Sequence, residues 1–214
     1  MPSLMPSQDA RFDRSVPTVA VVLAGGQGRR MGGGDKVLRR LGGQPLLDHL
    51  LARIGAQVAA VAVNANGDAS RFAAWALPVV ADGIGAGPLA GVLAGLRWAA
   101  ASHPGAEVLV VPSDTPFLPD DLVPRLRGGR GTAALVCAAS GGRLHPVVAL
   151  WPVALADALE AALWAGERRV VTWMKGQGLA GVEFAIDGGD PFANLNTPDD
   201  LIAAETRLAS REPV

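Results

Sequence analysis

The stretch Leu23-Ala-Gly-Gly-Gln-Gly-Arg-Arg-Met-Gly-Gly-Gly-Asp-Lys36 holds six glycines and three basic side chains. It follows the apolar run 18–22, which is typical of a buried parallel strand, and it precedes leucines at helical spacing in 45–54. Such a loop leaves the carboxyl end of a first strand, where open α/β sheets bind ligands. Because glycine-rich backbone can turn its N–H groups toward an anion, the stretch predicts a phosphate-binding loop.

The loop matches neither of the two common phosphate-binding patterns. A Walker A loop ends in Gly-Lys-Ser/Thr, whereas here Asp35 precedes the lysine and Val37 follows it. The dinucleotide fingerprint needs a third glycine where this chain has Met31. A flexible strand-to-helix connection without a ligand is the structural alternative, and the crowding of Arg29, Arg30 and Lys36 disfavours it.

Composition predicts a globular protein with no nucleic-acid or membrane partner. The 214 residues are 50% hydrophobic and 18% charged, and the net charge of −1 provides no basic surface for nucleic acid. Residues 1–16 are polar and lack the apolar run of a signal peptide, so we expect a disordered tail followed by one domain over 17–214. The single cysteine, Cys137, lies in an apolar run and is expected to be a buried thiol in a cytoplasmic protein.

Apolar runs alternate with helical patterns along the rest of the chain, which predicts an α/β fold with a mostly parallel sheet. Thr197, followed by Pro198 and two aspartates, is typical of the start of a last helix. Further strands are predicted at 58–63, 78–81, 107–111, 132–139, 143–150 and 182–186, and helices at 45–54, 70–75, 88–101, from 119, at 153–164 and at 167–174.

Three polar residues follow predicted strands and are therefore expected at one edge of the sheet. Asp114 follows a continuous apolar run that predicts a central strand. It is the best candidate for a Mg²⁺ ligand, since Mg²⁺ uses few protein carboxylates together with phosphate oxygens and water. Asn64 suits base or ribose recognition and equally suits a turn. Asp82 fits a nucleotide contact or a helix-flanking cap. Gly91 and Gly95 present a bare helix face for close approach of a ligand or another backbone.

If the glycine loop and the polar residues after the strands bind one phosphate-bearing substrate, the last third of the chain is left, by elimination, for a second substrate. His145 suits a substrate contact and equally a structural histidine. Arg168 and Arg169 suit a terminal phosphate, although a solvated or structural role is favoured. Asn194 and Asn196 alternate on one face of an extended segment, and helix capping does not explain them.

The glycine loop resembles the signature of the molybdenum cofactor guanylyltransferases, a MobA-like nucleotidyltransferase family. Leu-Ala-Gly-Gly followed by Asp-Lys is similar to these enzymes, whereas relatives that use CTP or make nucleotide sugars more often carry Leu-Ala-Ala-Gly and Pro-Lys. The resemblance extends over about 19–208. It also includes Val63-Asn-Ala-Asn66, Gly87-Pro-Leu-Ala-Gly91, Asp114-Thr-Pro116 and Asn194-Leu-Asn-Thr-Pro198.

The resemblance implies a three-layer α/β/α Rossmann-like nucleotidyltransferase fold and an activity. GMP would pass from GTP to the phosphate of molybdopterin, with Mg²⁺ as cofactor and pyrophosphate as the second product. Transient contact with cofactor-delivery proteins or recipient molybdoenzymes is also implied. The alternatives are a relative that uses CTP or a sugar-phosphate acceptor, and a nucleotide-binding module without catalysis.

The resemblance also implies a set of site residues, carried over position by position. Arg30, Lys36 and Asp114 would be catalytic, and Asp114 would bind the metal. Asn194 and Asn196 would bind the acceptor. The nucleotide would contact Leu23, Ala24, Gly25, Gly26, Lys36, Asn64, Asp82 and Asp114.

Overall fold

The computed structural model describes residues 16–25, 36–83, 85 and 87–210. Its strands are β1 (Thr18–Leu23), β2 (Arg40–Leu41), β3 (Gln44–Pro45), β4 (Val61–Asn64), β5 (Val79–Val80), β6 (Glu107–Pro112), β7 (Leu135–Ser140), β8 (Arg143–Pro152) and β9 (Leu179–Phe184). Its α-helices are α1 (Leu46–Ile54), α2 (Pro88–Ser102), α3 (Leu122–Gly129), α4 (Ala156–Trp164), α5 (Val170–Gln177) and α6 (Pro198–Ala209). No helix of this described part is long and apolar enough to cross a bilayer.

A seven-stranded sheet in the order β5-β4-β1-β6-β8-β7-β9 forms the centre of the protein, and β2 and β3 form a separate hairpin. β1 pairs in parallel with both β4 and β6, and β9 pairs in parallel with β7. β8 is antiparallel to both of its neighbours, so it is the only one of these seven strands that runs in the opposite direction. The predicted mostly parallel sheet is confirmed.

Alternate residues of β1 enter two different cores. Val19 and Val21 pack with the apolar faces of α2, α4 and α5. Ala20 and Val22 pack on the other face of the sheet with α1 and α3. Both faces are covered by helices, which explains why the strand is apolar at every position from Val19 to Leu23. The predicted three-layer α/β/α architecture is therefore confirmed.

The single thiol is part of this packing. Cys137 of β7 is fully buried, and burial raises its pKa to about 11. A thiol with a raised pKa is a poor nucleophile because the reactive thiolate is scarce at neutral pH. The prediction of a buried cysteine is confirmed.

Several predicted boundaries differ from the structure for local reasons. The second strand, predicted at 58–63, spans Val61–Asn64, and a 3₁₀ turn at Gly55–Gln57 precedes it. The helix predicted at 167–174 starts at Val170, because the Glu167 carboxylate accepts hydrogen bonds from the N–H groups of Arg168 and Arg169. The last strand, predicted at 182–186, lies at 179–184 in register with β7. At α6 the prediction is confirmed in detail, since Thr197 and Asp200 form a capping box.

Candidate active site

The sheet order places a crevice at the carboxyl ends of β1 and β6. From β1 the chain proceeds to β4 and β5 on one side, and it then returns to form β6 on the other side of β1. In open α/β sheets such a reversal separates the two loops that follow the central strands, and ligands bind between them. Lys36 follows β1 across the glycine loop, and Asp114 follows the last residue of β6 by two positions.

Lys36 joins two distant parts of the chain at this crevice. Its Nζ donates to Oδ2 of Asp114 and to Oδ1 of Asn196, both at 2.5 Å. The Lys36 and Asp114 side chains are only 13% and 11% exposed, so water screens this ion pair weakly. The structure therefore brings together three of the residues that the sequence assigned to catalysis, metal and acceptor.

Asp114 is fixed by the backbone around it. The N–H of Ser113 donates to the carbonyl of Leu23 at 3.1 Å, which extends the β1–β6 ladder by one bond. The hydroxyl of Thr115 donates to the carbonyl of Pro112 at 3.3 Å and closes the turn. The N–H of Leu195 donates to the carbonyl of Asp114 at 3.0 Å. Asp114 is thus bound on both sides while its carboxylate faces the crevice.

The segment before α6 reaches Lys36 through Asn196. Leu195 is buried while Asn194 and Asn196 are exposed, as their predicted alternation requires. The Asp200 carboxylate accepts from the N–H groups of Asn196 and Thr197, both at 2.8 Å, and these bonds lower the pKa of Asp200, most strongly the bond from Asn196. Asn196 contacts Lys36, and the structure shows no such contact for Asn194 among the described residues.

Asn64 is the last residue of β4 and lies in register with Leu23 at the end of β1. It is 2% exposed, and its Nδ2 donates to the carbonyl of Val80 at 3.0 Å. A Cβ added to Gly91 would lie 2.3 Å from Asn64 Oδ1, so α2 approaches this amide as closely as a glycine permits. The bare face predicted on α2 thus receives side chains, since a Cβ at Gly95 would lie 2.6 Å from Val21 Cγ2. A nucleotide contact by Asn64 stays a prediction.

Asp82 is held by Asn66, a residue that was assigned no separate role from its sequence pattern. The Asp82 N–H donates to Asn66 Oδ1 at 3.0 Å, and Asn66 Nδ2 donates to Asp82 Oδ2 at 3.1 Å. Oδ1 of Asp82 also accepts from the N–H of Gly85 at 2.9 Å. Asn66 therefore orients Asp82, and the Asn-x-Asn spacing after β4 was the available signal. The proposed nucleotide contact of Asp82 stays a prediction.

Leu23, Ala24 and Gly25 end β1 at this same edge. Ala24 is buried, and its N–H donates to the carbonyl of Asn64 at 2.8 Å. Gly25 is exposed. Gly26 and Arg30, which were also predicted in the site, lie outside the described residues.

His145 belongs to a hydrogen-bonded cluster with Ser140 and Asp190. The hydroxyl of Ser140 donates to Asp190 Oδ1 at 2.9 Å and lies 2.7 Å from His145 Nε2. Since that hydroxyl has one hydrogen, it accepts from the His145 N–H. Burial lowers the pKa of His145, an effect that Asp190 partly opposes. This arrangement favours the structural role for His145. Ser140 and Asp190 carried no sequence motif that could have revealed them.

The two adjacent arginines differ in environment. Arg168 donates from Nη1 to the carbonyls of Leu163 and Glu167 at 2.8 and 2.7 Å, so it ties α4 to the start of α5. The Arg169 side chain is 80% exposed. The structural or solvated alternative for this pair fits both observations.

The described residues supply few metal ligands. They contain no cluster of three or more His, Cys, Asp or Glu side chains that could hold a metal ion. Mg²⁺ nevertheless binds proteins through one or two carboxylates and completes its shell with water and substrate phosphates. Hydrogen bonds from the described residues engage only Oδ2 of Asp114. The buried Asp114 carboxylate, which already binds a cation through that oxygen, fits a magnesium ion delivered with a triphosphate.

A family model described as a MobA-like NTP transferase domain matches residues 20–180. The chain belongs to this family. A molybdenum cofactor guanylyltransferase of Cereibacter sphaeroides is 52% identical over 190 residues, which cover 88% of this chain and 95% of that relative. The similarity supports a nucleotidyltransferase function in molybdenum cofactor biosynthesis for this family member.

Solved structures place the family member in a wider fold group. Molybdopterin-guanine dinucleotide biosynthesis protein A from Archaeoglobus fulgidus superposes with a TM-score of 0.70 at 24% identity, covering 90% of this chain and 99% of that one. A 4-diphosphocytidyl-2C-methyl-D-erythritol synthase from Anaerococcus prevotii gives 0.71 at 14% identity, with 92% and 98% covered. At these identities the likeness shows the fold alone. Since the names of the two proteins refer to different bases, the fold does not determine which base is used.

Proposed function

We propose that this protein transfers GMP from GTP to the phosphate of molybdopterin and releases pyrophosphate. The observation that carries the proposal is the convergence of Lys36, Asp114 and Asn196 at the crevice between β1 and β6. A cation, a carboxylate and an amide meet there where two loops can hold a triphosphate and an acceptor. The name shared by relatives at about half identity supports the choice of guanine and of molybdopterin.

In the proposed reaction a molybdopterin phosphate oxygen forms a bond to the α-phosphorus of GTP. The bond from that phosphorus to the oxygen of pyrophosphate breaks, and no covalent enzyme intermediate is needed. The N–H groups of the loop after β1 hold the triphosphate, while Lys36 and Arg30 offset its negative charge. Asp114 would hold Mg²⁺, which would supply positive charge to offset that of the reacting phosphates. The chain contributes position and charge.

The acceptor does not need a strong general base. A phosphate monoester has its second pKa at about 6 and is largely ionised at neutral pH. His145, at the same edge of the sheet, has its Nε2 engaged by Ser140. Asn194 and Asn196, on the exposed face of their segment, are the proposed acceptor contacts. The finished cofactor is proposed to leave through transient contact with delivery proteins or recipient molybdoenzymes.

Pyrophosphate release with each nucleoside triphosphate tests the proposal. We expect release with GTP and Mg²⁺ only when molybdopterin is present. Faster release with CTP would favour the cytidylyl alternative, and release with a sugar phosphate in place of molybdopterin would indicate a different acceptor. Nucleotide binding without release under any condition would leave the non-catalytic module. Omitting Mg²⁺ provides the matched control for the metal.

A further inference from the structure

We propose that the Lys36 ammonium occupies the metal position of this site until a metal–triphosphate complex arrives. The cation site is then formed by Asp114 Oδ2 together with Asn196 Oδ1, and Lys36 keeps free divalent metal out of it. This inference rests on the proposed metal-dependent transfer and adds an exchange of cations to it.

The contacts of the ammonium carry the first step. One nitrogen lies 2.5 Å from a carboxylate oxygen of the β6 loop and 2.5 Å from an amide oxygen of the segment before α6. Oxygen atoms of these two types are ligands that hard cations such as Mg²⁺ use. An ammonium ion and a metal ion cannot share the point where the two oxygens meet. Metal binding there therefore requires Lys36 Nζ to leave.

The surroundings determine which part can move. The carbonyl of Asp114 accepts from Leu195 N–H, and the N–H of Asn196 donates to Asp200, so both oxygen-bearing residues have anchored backbones. The backbone of Lys36 is in a 3₁₀ turn whose next residue, Val37, is fully buried. The lysine stem has four rotatable carbons, and its ammonium is a compact point charge. The movable part is the end of the lysine side chain.

The triphosphate supplies the exchange partner. A free divalent ion would displace Lys36 without offering the ammonium a new anion. A metal–triphosphate complex brings phosphate oxygens to the loop on which Lys36 lies, so the ammonium moves from the carboxylate to the phosphates as the metal takes its place. Binding of metal and nucleotide is then positively coupled, and the coupling is reciprocal.

Binding of Mn²⁺ in the absence of nucleotide tests this exchange independently of activity. The bound fraction is measured as the loss of the electron paramagnetic resonance signal of free Mn²⁺. We expect Lys36→Met to bind Mn²⁺ at least tenfold more tightly than the wild type, and Lys36→Arg, which keeps the positive charge, to bind as weakly as the wild type. Adding Asp114→Asn to Lys36→Met should abolish the gain. Adding Asn196→Ala should reduce it, whereas Asn194→Ala, on the same exposed face, should not. Circular dichroism and a cooperative melt confirm that each variant is folded.

Equal Mn²⁺ affinity in the wild type and Lys36→Met overturns the inference. A gain in Lys36→Met that survives Asp114→Asn overturns it as well, because the metal would then lie elsewhere. Pyrophosphate release by the wild-type protein is measured separately with Mg²⁺, GTP and molybdopterin. A normal rate there shows that the proposed transfer stands although the cation exchange is wrong, and no release shows that the proposed function itself is wrong.

Discussion

Strand β6 carries a buried acid at each end, and the two acids have opposite roles. Glu107 is its first residue, and Asp114 follows its last residue by two positions. Each is 8% exposed, so burial does not distinguish them. What differs is the set of cations that hold each carboxylate.

Glu107 is held by two arginines at the C-terminal end of α3. Arg127 Nε donates to Oε2 at 2.9 Å, and Arg130 Nη1 pairs with Oε1. Arg127 also donates from Nη2 to the carbonyl of Val16 at 2.6 Å. Since guanidinium groups are always charged and bind carboxylates through a rigid fork, this is a permanent connection between α3 and the sheet. Within the described part of the chain, Asp114 instead pairs with one flexible ammonium that is shared with another segment, which is what an exchangeable partner requires.

The strongest test of this contrast is Asp114→Asn. The variant keeps the backbone bond to Leu195 but loses the charge, so we expect transfer to fall by about a thousandfold or more. The melting temperature should fall less than in Glu107→Gln, because the flexible Lys36 ammonium can turn toward water once its counter-charge is lost. Pyrophosphate release and thermal unfolding measure the two effects. A fully active variant at ordinary Mg²⁺ would show that Asp114 is not the metal ligand.

Glu107→Gln should show the reverse pattern. It leaves two largely buried arginines without their counter-charge, and breaking a buried pair costs about 3–5 kcal/mol of unfolding free energy. For a protein of this size the melting temperature should fall by roughly 6–20 °C. Well below the transition, kcat/KM of the folded protein should remain near wild type. Asp157→Asn, which removes an 87% exposed partner of Arg97, is the matched control and should cost less than about 1 kcal/mol.

A smaller effect separates packing at the edge of the sheet from packing in its middle. Gly91→Ala and Gly95→Ala add the same methyl group to α2, one turn apart, and each should cost about 1–3 kcal/mol of stability. The Gly91 methyl would meet Asn64 Oδ1 at 2.3 Å and Leu23 Cδ2 at 3.0 Å, whereas the Gly95 methyl would meet Val21 within β1. We therefore expect KM for GTP to rise only in Gly91→Ala. Equal KM values in titrations of both variants would show that Asn64 does not support the nucleotide site.

Sequence patterns predicted the strands that are buried on both faces, because such strands are apolar at every position. They also predicted Asp114, because a carboxylate after a central strand has one place to lie. They did not predict that Lys36 meets Asp114, 78 positions away, since charge and spacing do not specify tertiary partners. Glu107 was only the polar start of a strand, and the arginines of α3 had no periodic signal. Short elements such as Gly55–Gln57 were missed because a 3₁₀ turn has no distinctive pattern.

Asp190 is a third carboxylate to compare with Glu107 and Asp114. The prediction at its cluster is the smallest in expected size. Asp190 Oδ1 accepts from the hydroxyl of Ser140 and the N–H of Phe192, and His145 lies beyond Ser140. Burial lowers the pKa of His145, while an unfolded histidine titrates at about 6.5. The unfolded chain therefore binds the proton more readily than the native protein does.

The direction in which stability changes with pH follows from that difference. The contribution of His145 to stability is present above about pH 6.5 and is lost as the pH falls through the lower, folded value. His145→Gln keeps an N–H donor for Ser140 but cannot titrate, so its melting temperature should fall less than that of the wild type between about pH 7.5 and pH 5. Equal falls in melting temperature over this pH range in the variant and the wild type would mean that His145 is solvated rather than part of the cluster. A weaker dependence of melting temperature on pH in the variant would show that Asp190 is held through neutral donors. A carboxylate at this edge of the sheet then needs neither the permanent arginines that hold Glu107 nor the exchangeable lysine that holds Asp114.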